Sequence, residues 1–126
     1  MSRTILVVDD DPLIRRLIAT TLEDVAGYEI VESPDGEDAL ERAAASEPGI
    51  VFLDIDMPRM DGIAACKHLR AAPATARATI IMLTAATTDT AEQLSVDAGA
   101  DLFLSKPFSP LEVLQLVDEI GERSAD

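Results

Sequence analysis

Several side chains able to carry chemistry stand directly behind short apolar runs. Asp9-Asp10-Asp11 follows Ile5-Leu6-Val7-Val8, and Asp54-Ile55-Asp56 follows Ile50-Val51-Phe52-Leu53. Thr84 follows Ile80-Ile81-Met82-Leu83, and Ser105-Lys106-Pro107 follows Leu102-Phe103-Leu104. Asp9, Asp10 and Asp54 crowded together could not all stay ionised unaided, because like charges disfavour one another. A hard divalent cation with oxygen ligands, Mg²⁺ above all, relieves that crowding and screens the acids from an incoming anion. A carboxylate so screened can attack phosphorus and form an aspartyl-phosphate. Lys106, one of two lysines in the chain, and Thr84 would then face the new phosphoryl oxygens as cation and hydroxyl donor.

Taken singly, each of these residues has a plainer reading. Asp9 and Asp10 could equally be helix caps or dipole partners, and Asp11 beside Pro12 reads better as a cap. Thr84 alone fits an ordinary strand end, and Lys106 alone a solvated charge. Cys66 reads as a small buried hydrophobe and His68 as a surface residue of the same helix. Their shared position is therefore the argument, and the elements that create it matter.

The apolar runs above, with Tyr28-Glu29-Ile30-Val31, alternate with longer amphipathic stretches along the chain. Runs rich in β-branched residues and nearly free of polar ones are expected for parallel strands covered on both faces. The run carrying Glu29, with Glu32 just beyond it, reads as an edge strand. Leu13, Leu17 and Leu22 with Ile14 and Ile18 predict one helical stripe, and Leu111, Leu114, Val117 and Ile120 predict another. Ser109-Pro110-Leu111-Glu112 offers a capping box with proline at the first helical position. Asp11-Pro12 and Asp61-Gly62 open two more helices, and Gly27 and Gly99 stand where two should stop. Five β-α units imply a parallel sheet with helices on both faces, and ligands then bind at the carboxyl ends of the strands.

Composition sets limits on function. The 126 residues suit one domain, 1–126, with a core over about 3–121. Asp and Glu number 24 against 10 Lys and Arg, a net charge of −14. That disfavours binding to nucleic acid or to an anionic membrane surface, both of which need cationic side chains. A single cysteine excludes an internal disulfide and a Cys-based zinc site. No signal-like segment opens the chain and no apolar run nears the roughly 18 residues of a membrane span, so a cytoplasmic protein is expected. Only Glu122-Arg123-Ser124-Ala125-Asp126 follows the last helical stripe; the expectation is a stand-alone domain, or one excised from a longer protein.

The blocks Ile5–Pro12, Leu53–Gly62, Leu83-Thr84-Ala85, Ala98-Gly99-Ala100-Asp101 and Lys106-Pro107-Phe108 together closely resemble the receiver domain of bacterial two-component response regulators. Five ordered blocks at suitable intervals over nearly the whole chain are far more specific than one short motif. The resemblance implies a flavodoxin-like, doubly wound α/β fold, strand order 2-1-3-4-5, with five helices. It implies Asp54 as phosphoacceptor, and Mg²⁺ held by Asp9, Asp10, Asp54 and the backbone carbonyl of Asp56. Thr84 and Lys106 match the switch hydroxyl and the phosphoryl-contacting lysine, and Phe103 the switch aromatic. Asp56 and Ala86 match the positions that tune dephosphorylation.

The implied donor is a phosphohistidine on a sensor histidine kinase or a histidine phosphotransfer protein. The implied output is contact with a downstream protein through the fourth helix, fifth strand and fifth helix, as monomer or phosphorylation-dependent dimer. Such a domain assists its own phosphotransfer and slow dephosphorylation; it is not an enzyme turning over substrate. Three other readings stand beside it. Asp54-Ile55-Asp56 has the spacing of a haloacid-dehalogenase-type phosphatase, but the acidic pair precedes the nucleophile and the chain leaves no room for a cap. A flavin module would need an anion-friendly first loop, which Asp9-Asp10-Asp11 is not. An interaction module that has lost phosphorylation would not need the full set of site residues present here.

Overall fold

The apolar runs become the strands of one sheet. The computed structural model describes residues 3–25, 27–57, 60–85 and 89–124, with the side chains of 89 and 122–124 outside the description. The strands are β1 (Thr4–Val8), β2 (Glu29–Ser33), β3 (Ile50–Asp54), β4 (Thr79–Thr84) and β5 (Leu102–Ser105). They alternate with helices α1 (Pro12–Glu23), α2 (Gly36–Ser46), α3 (Gly62–Ala71), α4 (Asp89–Ala98) and α5 (Pro110–Ser124). All pairings are parallel, in the order β2-β1-β3-β4-β5. This is the doubly wound, flavodoxin-like arrangement, with β2 and β5 at the edges.

Alternation along each strand divides the core in two. Leu6, Val8, Val51, Leu53, Ile80 and Met82 face α2, α3 and α4, through Ala39, Ala43, Ala65, Cys66, Leu69 and Ala98. Ile5, Val7, Phe52, Ile81 and Leu83 face α1 and α5, through Ile18, Leu22, Val113, Val117 and Ile120. The small side chains on α2 and α3 let these helices lie close to the sheet. The central strands β1 and β3 are buried almost throughout, as their unbroken apolar composition requires.

Local signals set the helix starts. Asp11 accepts from the Leu13 N–H at 2.9 Å ahead of Pro12, and Asp61 accepts from Ala64 N–H at 2.8 Å. Ser109 Oγ accepts from Glu112 N–H at 3.2 Å while Glu112 accepts from Ser109 N–H at 3.3 Å, a reciprocal capping box. Asp35, not singled out in the sequence, caps α2 by accepting from Asp38 N–H at 2.8 Å.

Three expectations need correction. Leu13 is 79% exposed and Leu111 62% exposed, although each lies in phase with an apolar stripe. Both occupy the first turn of a helix, where the chain has just left the sheet and has no strand beneath it. Val113 takes the buried place instead. Gly99, at φ +107°, does close α4, but Gly27, at φ +91°, lies beyond the Asp24 cap of α1 and serves the turn into β2.

Candidate functional site

The carboxyl ends of β1, β3, β4 and β5 converge on one edge of the sheet. Asp9 follows β1 and is fully buried, whereas Asp10 is exposed. Asp54 ends β3 and Thr84 ends β4, both buried. Lys106 follows β5 and is half-buried. One carboxylate oxygen from each of Asp9, Asp10 and Asp54 falls within 4.8 Å of the others.

Lys106 Nζ sits between the two buried acids, 3.0 Å from Asp9 Oδ2 and 3.2 Å from Asp54 Oδ1. It donates a hydrogen bond to Asp54, while Asp9 Oδ2 is buried with no donor aligned to it. The other Asp9 oxygen accepts from Asp11 N–H at 2.9 Å, and Asp54 Oδ1 also accepts from Asp56 N–H at 3.3 Å. Burial, and then the neighbouring charge of Asp9, push the Asp54 carboxyl up to about 7 against the pull of Lys106. Burial works to lower the Lys106 ammonium, but its bonds to Asp9 and Asp54 outweigh that and raise it.

One ammonium among three carboxylates leaves the cluster anionic. Asp9 Oδ2, buried and faced only by the shared Lys106 charge, adds an oxygen with no aligned hydrogen-bond donor. All-oxygen donors of this kind suit a hard divalent ion, so the residues present fit Mg²⁺.

The remaining sequence-predicted residues fall around this cluster. Strand register sets Thr84 beside Ser105 and Phe103 beside Met82. Thr84 and Phe103 thus lie diagonally on the same face of the sheet, and Phe103, half-buried, packs into the core beneath α3 and α4. Asp56 is exposed in the loop immediately after Asp54. Ala86 lies outside the described residues. His68 is exposed and Cys66 fully buried, as read; burial raises the Cys66 thiol, consistent with an inert packing role.

Three supporting residues escaped sequence reasoning. Arg15 donates from Nη1 to the Asp9 carbonyl at 2.8 Å and from Nε to Glu32 at 3.3 Å, tying the β1 loop to α1 and β2. Gly62 brings α3 so close that a Cβ would run into the Asp54 carbonyl and come within 2.8 Å of Ile55 Cα. Arg70 donates to the carbonyls of Gly99 (2.8 Å), Ala76 (3.1 Å) and Ala78, and pairs with Asp101. Gly62 had a signal in the Asp61 cap before it; the arginines bond to remote main chain, which leaves no local pattern.

Comparison with known proteins agrees with this geometry. The family model for the response regulator receiver domain matches residues 5–118. The chain is 40% identical over 124 residues to the alkaline phosphatase synthesis transcriptional regulatory protein PhoP of Bacillus subtilis, covering 98% of this chain and 50% of that one. It is 36% identical over 120 residues to the DNA-binding dual master transcriptional regulator RpaA of Synechocystis, covering 95% of this chain and 49% of that one. The chain thus spans about half the length of these curated relatives. Among solved structures, the chemotaxis protein CheY4 of Vibrio cholerae superposes with a TM-score of 0.88 at 33% identity, covering 94% of this chain and 98% of that one. An acidic cluster at the strand ends, a doubly wound sheet and these likenesses converge: the chain belongs to the response regulator receiver domain family of two-component signalling.

Proposed function

We propose that the domain is a phosphorylation-activated switch in which Asp54 accepts a phosphoryl group from a phosphohistidine. The observation that carries this reading is the buried Asp54 carboxylate, bonded to Lys106 and grouped with Asp9 and Asp10 within 4.8 Å. Mg²⁺ bound by Asp9, Asp10, Asp54 and the Asp56 carbonyl supplies charge neutralisation for the incoming phosphoryl oxygens. An ionised Asp54 oxygen attacks phosphorus as the phosphorus–nitrogen bond breaks, and the imidazole leaves with that electron pair. Lys106, relieved of its bond to Asp54, holds a phosphoryl oxygen, and the Thr84 hydroxyl donates to another. Asp56 and Ala86 set access of water to the acyl phosphate and hence its lifetime.

The domain is an acceptor that assists its own phosphorylation and slow dephosphorylation. Its partners are a sensor histidine kinase or histidine phosphotransfer protein upstream and a protein target downstream, reached through α4, β5 and α5. The acidity of the domain argues against nucleic-acid contact of its own. No described helix is long and apolar enough to cross a membrane, in keeping with work in the cytoplasm.

Incubation with acetyl phosphate and Mg²⁺, followed by intact-mass measurement, tests the proposal. One phosphoryl group should be gained, and none by Asp54→Asn or in EDTA. Equal labelling of Asp54→Asn would overturn the assignment.

A further inference from the structure

Side chains on successive residues of a strand point to opposite faces, so two adjacent acids meet at one point only where the backbone turns between them. Asp9 and Asp10 meet in this way. One is fully buried and the other exposed, yet an oxygen of each falls within 4.8 Å of the other and of Asp54. The turn is set by the peptide that joins them, whose plane carries the Asp9 carbonyl and the Asp10 N–H. On either side of it, Asp9 N–H donates to the Ser33 carbonyl at 3.2 Å, and Asp11 N–H donates to Asp9 Oδ1 at 2.9 Å. The carbonyl itself accepts from Arg15 Nη1 at 2.8 Å, a bond from a charged donor six residues on. The same guanidinium pairs through Nε with Glu32 of β2 at 3.3 Å, and the Arg15 side chain is only 19% exposed. Its ion pair is thus with Glu32, whereas Lys106 supplies the ammonium between Asp9 and Asp54. Arg16, the next residue of α1, also pairs with Glu32, but its side chain is 55% exposed and its other partners are Glu23 and Thr20.

We propose that Arg15 is a positioning residue for the divalent cation: by holding the Asp9–Asp10 peptide it brings both carboxylates to one point. The proposal rests on the reading of the acidic cluster as a Mg²⁺ site and adds the group that shapes it. A flat guanidinium bonded at two edges keeps one orientation, which a single ammonium could not do for partners on two elements. Charge alone gives the opposite expectation. A positive group this close to the acids repels an incoming cation, so its removal would tighten Mg²⁺ binding. Loss of the turn would weaken it. The sign of the change separates the two roles, and a general loss of stability mimics neither in chains that remain folded.

Mg²⁺ titration of the full chain at fixed ionic strength, followed by amide chemical shifts, tests this. Arg15→Met should bind Mg²⁺ about fivefold more weakly. Arg16→Met removes the same charge from the next position and should stay within about twofold. Arg15→Lys keeps the charge and should still lose about threefold, which decides the matter if the Met variant does not fold. In EDTA the Asp10 and Asp11 amides should shift in Arg15→Met and stay in place in Arg16→Met. Unchanged or tighter binding in the Arg15 variants, or an equal loss in Arg16→Met, would overturn the proposal. Acetyl-phosphate labelling of the unsubstituted chain keeps the readings apart. Labelling of Asp54 with Mg²⁺ affinity indifferent to Arg15 sinks this inference alone, and that dependence without labelling sinks the phosphoacceptor reading alone.

Discussion

Lys106 reaches Asp54 across 52 positions of sequence, its Nζ 3.2 Å from Oδ1, because β4 lies between their strands and the carboxyl ends of β3 and β5 point the same way. The contact is present without any phosphoryl group bound. It also places the single ammonium of the cluster where new negative charge would appear on phosphorylation.

Removing that ammonium should separate its role from that of the acids. Lys106→Met in EDTA should lose about 1–2 kcal/mol of stability, less than a fully buried pair because Asp54 can hold its proton instead. Its Mg²⁺ affinity should stay within about threefold, whereas Asp9→Asn and Asp10→Asn should each lose about tenfold or more. Urea unfolding and metal titration measure both; equal loss of affinity in all three would contradict the division of labour.

The proton on Asp54 makes stability depend on pH. Folding raises this carboxyl from 3.8 to about 7, so between those values the folded chain binds more protons than the unfolded one. The contribution of Asp54 is therefore fully present below about pH 4 and is lost as pH rises through about 7. Metal-free unfolding curves should show that decline, and Asp54→Asn should flatten it. Matching slopes in the two proteins would refute the shift.

Gly62→Ala tests the close approach of α3 to the phosphoacceptor strand. The added methyl meets the Asp54 carbonyl and the Ile55 backbone, neither of which can swing aside like a flexible side chain. A loss of about 1–3 kcal/mol is expected, together with slower labelling by acetyl phosphate, since the end of β3 must move. Thermal melts and labelling rates check it; an unchanged melt would mean that α3 shifts freely.

Thr84 and Phe103 should respond together. Thr84 and Phe103 share a face diagonally, so drawing the Thr84 hydroxyl toward a phosphoryl oxygen would open space into which the ring could turn. Thr84→Ala should keep its ability to be labelled and lose the beryllofluoride-induced shifts at Phe103 and α4. Shifts of full size in the variant would place the coupling elsewhere.

The strands, their parallel pairing and the site residues at their ends were legible because continuous apolar runs leave few other folds, and because strand ends mark where ligands bind. The caps at Asp11, Asp61 and Ser109 were legible for the same local reason. The exposure of Leu13 and Leu111 was not, since helical phase says which side a residue takes and not whether anything covers it. Nor did the sequence show that Asp9 would be buried and Asp10 exposed, for adjacent acids differ only once the chain turns. Arg15 and Arg70 were hidden most completely. Their partners are backbone carbonyls, which every residue has.

Arg70 carries one more consequence. Its guanidinium holds the Gly99 carbonyl and the Asp101 carboxylate, just beyond the last turn of α4, and Cys66 Sγ donates to the Ala98 carbonyl at 3.4 Å. Helix α4 is therefore anchored at its carboxyl end. A displacement begun by phosphorylation at Thr84 would reach the helix at its opposite end and tilt it about that anchor.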